Sequence, residues 1–407
     1  ADENAYLEDF LKILPGFQVN SRGDITFNGK PVDKVMVNGK RFFDDPKLAT
    51  QNLSKGLIEK IQVLDSRSKA QVFTGEKSDG KAKTINLEIA PENNKGFFGN
   101  IAAAGGTKER YQVNGTGNYF NDEMRLSLIA TGDNVKDRHS DFSNVMGYMG
   151  SPDLGGGGGI NKSQSLASNY VDEWGDHLDF TSNYRLQNED NLREQKRRSE
   201  NRLPNNVIFY NESIRNTSST NQTHSFNSAF ETTVDSVYFI QFRPSFTYSE
   251  GLNSSVNSQL SLNENDELRN SSESLNKSRN FNKRYINSLI VTRRYGERGG
   301  YVQLTGNLSL NTNDSALKNK SETNFYNPTG GAQVLDSIII RDQYRNGNQN
   351  NINQNYTLKG KLPLNTDLSL IPAYEYSSEI RTNEMLIYDL EGSTTILNRN
   401  QSTDYRN

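Results

Sequence analysis

The stretch YVQLTGNLSLN, Tyr301 to Asn311, alternates with a period of two. One phase holds Val302, Leu304, Gly306, Leu308 and Leu310, and the other Gln303, Thr305, Asn307, Ser309 and Asn311. Successive side chains of a strand point to opposite faces, so this segment reads as a strand with one apolar and one polar face. The pattern recurs in eleven segments, at about 97–106, 110–120, 123–132, 164–172, 177–187, 222–233, 237–249, 284–295, 300–311, 352–364 and 367–380. A chain built this way must shelter one face of every strand from water. Either a protein core or hydrocarbon does so.

Several features favour hydrocarbon. About ten residues at ~3.3 Å each, tilted ~45°, rise roughly 23 Å, near the height of the apolar band of a membrane barrel. The connections alternate in length. Asn121-Asp122, Asp172 to Asp176, Val234 to Ser236, Gly296 to Gly299 and Asn365-Thr366 are short, while 133–163, 188–221, 250–283 and 312–351 are long and polar. Up-and-down membrane barrels sort their connections in this way. Charge avoids the apolar phase: Arg125, Asp179, Arg185, Arg243, Lys359, Lys361 and Glu375 all lie in the other phase of their segments. Aromatic residues collect near segment ends (Tyr119, Trp174, Tyr238, Tyr248, Tyr285, Tyr295, Tyr301, Tyr374, Tyr376), as headgroup-level girdles do. The apolar phase also contains Gly115, Gly117, Gly306 and Gly360, which would leave holes in a packed interior. Segment 284–295 is the weak one: Arg293 and Arg294 put charge in both phases, so an irregularity is expected there.

Composition narrows the class further. With 33% hydrophobic residues and a mean hydropathy of -0.80, no window reaches the length of an apolar membrane helix. The net charge of -3 and the absence of a basic block argue against a nucleic-acid partner. Zero cysteines exclude disulfides and thiolate metal sites. Ala1 is not followed by a cationic and apolar signal segment, which suits a mature or trimmed chain.

Residues 1–93 have a different grammar. NAYLEDFLKILPG puts Tyr6, Leu7, Phe10, Leu11 and Leu14 on one helical face and ends at Pro15-Gly16. FQV, DITFNG, KVMVNGK and RFF read as short strands, with Asn28-Gly29 and Asn38-Gly39 as hairpin turns. Asp45-Pro46 opens a second short helix, and IEKIQVLD and KTINLEIA are two further strands.

Taken in order, YLEDFLKILPGFQVNSRGDITFNGKPVDKVMVNGKRFF, LIEKIQVLDS and TINLEI resemble the plug domain of TonB-dependent receptors. The following run, NKGFFGNIAAAGGTKERYQVNGTGNYFNDEMRLSLIATGDN, resembles the opening strands of that superfamily's outer-membrane barrel. The resemblance implies an α+β plug domain over 1–93, followed over 94–407 by an antiparallel transmembrane β-barrel. About 11 strands are present, half of a 22-stranded barrel. It further implies a home in the outer membrane of a Gram-negative bacterium, with outer-membrane lipid around it and the TonB complex as motor. Ala1 to Asn4 are too few to supply the motor-binding segment, so that contact is expected to lie in a missing N-terminal part.

The candidate sites each have two readings. Lys40, Arg41, Phe42 and Phe43 follow the Asn38-Gly39 turn and either meet ligand in the lumen or pack against the wall. NLREQKRRSENR, with Arg193, Lys196 and Arg197, either steers an anionic ligand or lipopolysaccharide phosphates, or is a solvated loop face. Asp133, Asp137, His139 and Asp141 form either a metal site or a solvated loop. Gly155 to Gly159 are not followed by a Lys-Ser/Thr in a strand-to-helix context and read as a flexible loop, not a phosphate loop. No nucleophile–base set or paired carboxylates stand out, so no enzyme and no cofactor are expected. Three functions are compatible with this reading: a plug-gated receptor-transporter, a non-transporting barrel that scaffolds an assembly or docks a surface lipoprotein, and a soluble β-rich binding module.

Overall fold

The computed structural model describes residues 6–20, 23–43, 45–53, 55–90, 94–135, 159–175, 177–202, 208–329, 332–365, 368–392 and 394–406. The N-terminal unit runs α1 (Leu7–Ile13), β1 (Phe17–Val19), β2 (Ile25–Phe27), β3 (Lys30–Val37), β4 (Lys40–Arg41), α2 (Pro46–Asn52), β5 (Ile58–Asp65), α3 (Lys69–Thr74) and β6 (Lys83–Ile89). Its sheet has the order β1-β2-β3-β6-β5, with β4 added to β3. β3 and β6 are parallel. Leu7 and Leu11 from α1 pack with Val35, Val37, Ile85 and Leu87 in a buried core.

Local chemistry accounts for the turns. Asn28-Gly29 and Asn38-Gly39 both adopt positive φ, as a two-residue hairpin turn requires. The Asn38 side chain accepts the Ile89 N–H at 2.9 Å, tying this turn to β6. Asp45 caps α2 by accepting the Lys47 N–H, and Pro46 takes the first helical position. The sequence reading gave no element to 66–82, where α3 lies. Its signals are a capping box from Ser68 and Gln71 and a left-handed Gly75 at its end.

The second sheet contains β7 (Lys95–Gly105), β8 (Tyr111–Asn121), β9 (Met124–Asp133), β10 (Ile160–Trp174), β11 (Leu178–Arg202), β12 (Ile208–Val234), β13 (Tyr238–Asn263), β14 (Leu268–Tyr295), β15 (Gly300–Thr329), β16 (Ala332–Pro363), β17 (Ser369–Leu370), β18 (Ala373–Glu391), β19 (Thr394–Leu397) and β20 (Thr403–Arg406). β7 to β16 pair in chain order and β18 follows β16. Every pair is antiparallel. The alternating segments correspond to β7 to β16 and β18, except that 367–380 is split by Pro372 into β17 and β18.

Three expectations are corrected. The stretches 188–221, 250–283 and 312–351 are mainly strand, not loop: pairing continues to Arg202↔Ile208 and to Thr329↔Ala332. These extensions are mainly polar, and their apolar residues, such as Leu252, Val256 and Leu260 on β13 or Val334 and Ile338 to Ile340 on β16, do not form an unbroken alternating phase, so alternation does not reveal them. Second, β14 is regular through Arg293 and Arg294. Arg293 stacks on the Tyr238 ring at the outer face, while Arg294 points inward onto Phe73 of α3. Third, Tyr301 is not a girdle residue; it is buried against the N-terminal unit. Asp137, His139, Asp141 and Gly155 to Gly158 lie outside the described residues.

The two faces of the large sheet are inverted relative to a water-soluble fold. The apolar phase is exposed, with Leu304 43% and Leu358 49% accessible. The polar phase is covered: Arg125, Ser127, Asn169, Gln241 and Thr292 are buried. What covers it is the N-terminal unit, which touches ten consecutive strands. The contacts are Tyr6 to Asn100 on β7, Phe42 to Phe120 on β8, Val37 to Arg125 on β9 and Lys40 to Glu173 on β10. They continue with Lys69 to Asp179 on β11 and Glu231 on β12, Phe73 to Phe239 on β13 and Arg294 on β14, and Glu76 to Tyr301 on β15 and Lys359 on β16. Ten flat strands at ~4.8 Å spacing would span about 43 Å, more than the roughly 30 Å width of a unit this size. The sheet therefore curves around it.

Two aromatic ladders cross the outer face. Trp174, Phe180, Phe230 and Phe242 form one, near the short turns. Tyr184, His224, Tyr248 and Phe281 form the other. On β13, Tyr238 and Tyr248 lie ten residues apart on one face, about 33 Å along the strand and roughly 23 Å in height at ~45° tilt. The interval holds Ile240, Phe242, Pro244 and Phe246 in the outer phase, with no charge.

Candidate functional site

The chemistry of this molecule is concentrated where the N-terminal unit meets the wall, close to the short turns. Three groups of charged contacts join them. At the first, Lys69 in the opening turn of α3 reaches Asp179 at 2.7 Å and Glu231 at 3.0 Å. Asp179 and Glu231 are directly opposite each other on β11 and β12, where two carboxylates alone would repel. Arg243 and Gln241 on β13 complete the shell of Glu231, at 2.5 Å and 2.6 Å. Burial would lower the Lys69 pKa, but the Glu231 and Asp179 carboxylates outweigh it and hold the pKa above the ordinary lysine value.

At the second, Glu76 just after α3 takes hydrogen bonds from Lys359 at 2.6 Å and from the Tyr301 hydroxyl. Burial pushes the Glu76 carboxyl up, yet the Lys359 and Tyr301 bonds outweigh it and keep its pKa below the ordinary range. At the third, Lys40 lies between Glu173, at 3.0 Å, and Glu123. Beside it the buried Arg125 donates from Nη1 to the Val37 carbonyl at 3.0 Å and lies over the Phe120 ring.

A cavity of about 260 Å³ separates the first and third groups, lined by Lys34, Arg41 and Lys69 on one side and Asp179, Asn183 and Arg243 on the other. Lys34 donates to Ser66 Oγ and the Arg67 carbonyl, both at 3.1 Å. Burial depresses its pKa, with Asp33 opposing and Arg41 and Arg243 reinforcing the shift.

The residues singled out in the sequence divide. Lys40 is engaged by the wall, and Arg41 lines the cavity. Phe42 and Phe43 are 0% and 3% exposed; their rings pack edge to face at 4.9 Å, with Phe120 of β8 beyond at 6.1 Å. They are packing residues in this arrangement. Arg193, Lys196 and Arg197 lie on the extension of β11, opposite Thr217, Ile214 and Ser213 of β12. Fourteen or more residues beyond Asp179, they are about 45 Å or more along the strand from Lys69, so the structure does not bring the two sets together. By phase Arg193 and Arg197 share the inner face with Asp179, and Lys196 lies on the outer one. Lys69, Phe73 and Glu76 were missed in the sequence because α3 was.

No protein-family model matches the sequence. No curated protein matches it either. Solved structures do align with it. The ferric-catecholate import receptor Fiu of E. coli K12 in its open form is 11% identical, with 100% of this chain and 78% of that chain covered at a TM-score of 0.24. The ferric preacinetobactin receptor BauA of Acinetobacter baumannii is 9% identical over 100% and 76% of the two chains, at 0.28. The copper transporter OprC is 10% identical over 96% and 77%, at 0.25. Superpositions of this quality carry no weight for the fold or function of this chain.

Proposed function

We propose that the protein is an outer-membrane receptor-transporter of the TonB-dependent kind. Its outer hairpins capture a ligand, and the N-terminal unit acts as the plug of the pore. One observation carries this reading: the apolar face of the long strands is turned outward at the height of a bilayer, while the polar face wraps a small folded unit. In hydrocarbon an open sheet edge would leave backbone groups unpaired at several kcal/mol each, so further strands close the sheet into a barrel. The TonB complex pulls on a segment ahead of α1, and the three charged contacts let go together. Arg193 and Arg197 steer an anionic ligand into the lumen, and Arg41 meets it at the cavity.

The test uses vancomycin, which an intact outer membrane keeps out. Cells expressing the full-length protein with Lys40→Glu and Lys69→Glu become sensitive to it, while wild-type cells stay resistant. Unchanged resistance, with the variant folded in the membrane, would show that the N-terminal unit is not a gate. One observation favours a second reading, a barrel that docks a surface lipoprotein: Val334, Leu335, Ile338, Ile339 and Ile340 are exposed on the far extension of β16, well above the bilayer.

A further inference from the structure

The outer face of the sheet carries a charged feature that plug and pore leave unexplained. Lys277 of β14 and Lys318 of β15 are directly opposite in register. Like charges across a ladder repel, and neither lysine forms an ion pair among the described residues. Both belong to the outer phase that lower down carries Tyr285, Leu289, Leu304 and Leu308.

Around them is a shallow groove of about 440 Å³. The small side chains of Ser218, Ser254 and Ala316 line it together with Lys277, Lys318 and Tyr344. Arg279 also lines it, stacked on Phe281 and paired with Glu250 at 2.8 Å. No acidic side chain lines the groove. Of the acids next to it on this face, Glu250 is paired with Arg279 and Asp314 accepts from Asn348 at 2.5 Å, while Asp342, opposite Lys320 and one outer position beyond Tyr344, keeps a buried Oδ1 with no hydrogen-bond partner among the described residues. Its lower edge is Leu252, four residues beyond Tyr248 of the outer aromatic ladder and about 13 Å along the strand, and Lys277 is opposite Ser254, six residues and about 20 Å beyond Tyr248. The groove therefore opens immediately above the apolar band, on the outside of the wall and not in the lumen.

From this juxtaposition we infer a binding site for the phosphate group of a membrane-anchored glycolipid, a step that rests on the membrane reading above. The two lysines share the phosphate oxygens, the serine hydroxyls donate to the saccharide, and Tyr344 offers an apolar face to a sugar ring. A phosphate between the lysines removes their mutual repulsion. The acyl chains of the same molecule lie along Leu304, Leu308 and the rest of the apolar face below. A freely diffusing anion gains nothing from that continuity, which is why the anchored source is chosen.

The test is retention of lipid A by the full-length protein, measured by native mass spectrometry after extraction into mild detergent. Wild type retains lipid A, and Lys277→Gln with Lys318→Gln lowers retention about ten-fold or more, the loss expected for one charge-assisted contact. Lys277→Arg with Lys318→Arg keeps it, and dephosphorylated lipid A is held equally weakly by all three proteins. Equal retention of lipid A by the glutamine variant overturns the site. So does displacement of lipid A by inorganic phosphate at matched concentration, which would mark a free-anion site. Heat-modifiable gel migration is recorded on the same samples. If wild type lacks it, the membrane reading has failed; if wild type shows it and the lipid result is negative, only this proposal falls.

Discussion

Removing the Lys69 ammonium is the sharpest probe of how the N-terminal unit is held. Lys69→Met keeps the aliphatic stem of the side chain and deletes its charge. Asp179 and Glu231 are then left facing each other across the β11–β12 ladder, with Arg243 as the remaining cation on Glu231. Stripping one partner from a fully buried pair costs ~3–5 kcal/mol. Here Glu231 is only 8% exposed, but Asp179 is 36% and Lys69 42% exposed, so solvent screening reduces the figure. About 2 kcal/mol is the working estimate, equivalent to roughly 30-fold in the equilibrium between docked and undocked states. Hydrogen exchange of the α3 amides reads that equilibrium directly, because α3 carries Lys69 and Phe73. Exchange in Lys69→Met should be about 30-fold faster than in wild type. Adding Asp179→Asn removes the carboxylate that Lys69→Met leaves without its ion-pair partner and should recover a good part of the loss. Unchanged α3 exchange in Lys69→Met, or no recovery in the double variant, refutes the claim that these charges hold the unit in place.

Docking of the N-terminal unit should also depend on pH at both extremes. The raised Lys69 pKa contributes stability below the ordinary lysine value, which is lost as pH rises through the shifted one. The lowered Glu76 pKa contributes stability above the ordinary glutamate value, which is lost as pH falls through the shifted one. The thermal unfolding temperature of the unit, read by calorimetry, should thus be highest between these limits, and a Glu76→Gln variant should lose part of the acid limb. Phe42→Ala empties the packing between Phe43 and Phe120 and should cost ~3–5 kcal/mol, read as earlier heat-induced loss of gel migration. Leu304→Arg places a cation on the outward face and should cost ~2–4 kcal/mol in folding titrations with lipid vesicles, whereas Asn307→Arg, in the other phase, should cost little. Equal costs for the two would remove the case for lipid on that face.

The sequence is legible wherever one face of a strand differs from the other. Val302 to Leu310 and Tyr238 to Tyr248 announce their strands because one phase is apolar and the other polar. Beyond Tyr248, β13 continues as SEGLNSSVNSQLSLN, with water on both faces, and the period fades although the ladder persists. Main-chain pairing to β12 and β14 sustains those residues, and side-chain pattern says nothing about it. The unit at the N-terminus is readable in its core, where Leu7, Leu11, Val35 and Val37 follow helix and strand periods. The charged contacts are not, because Lys69 and Asp179 are far apart in sequence and meet only when α3 docks on the wall. Phe43 and Tyr301 mislead for a related reason: an aromatic residue near a turn looks the same whether it faces solvent, lipid or a neighbouring domain.

The extensions of β11 to β16 carry regular pairing far past the apolar band, up to the 32 residues of β16. Their surface is a continuous fabric of satisfied backbone rather than a set of slack loops. A protease seeking an extended, unpaired substrate finds none along the flanks of these hairpins. Nicking is therefore disfavoured along these ladders, and fragments cut elsewhere stay laced together by them.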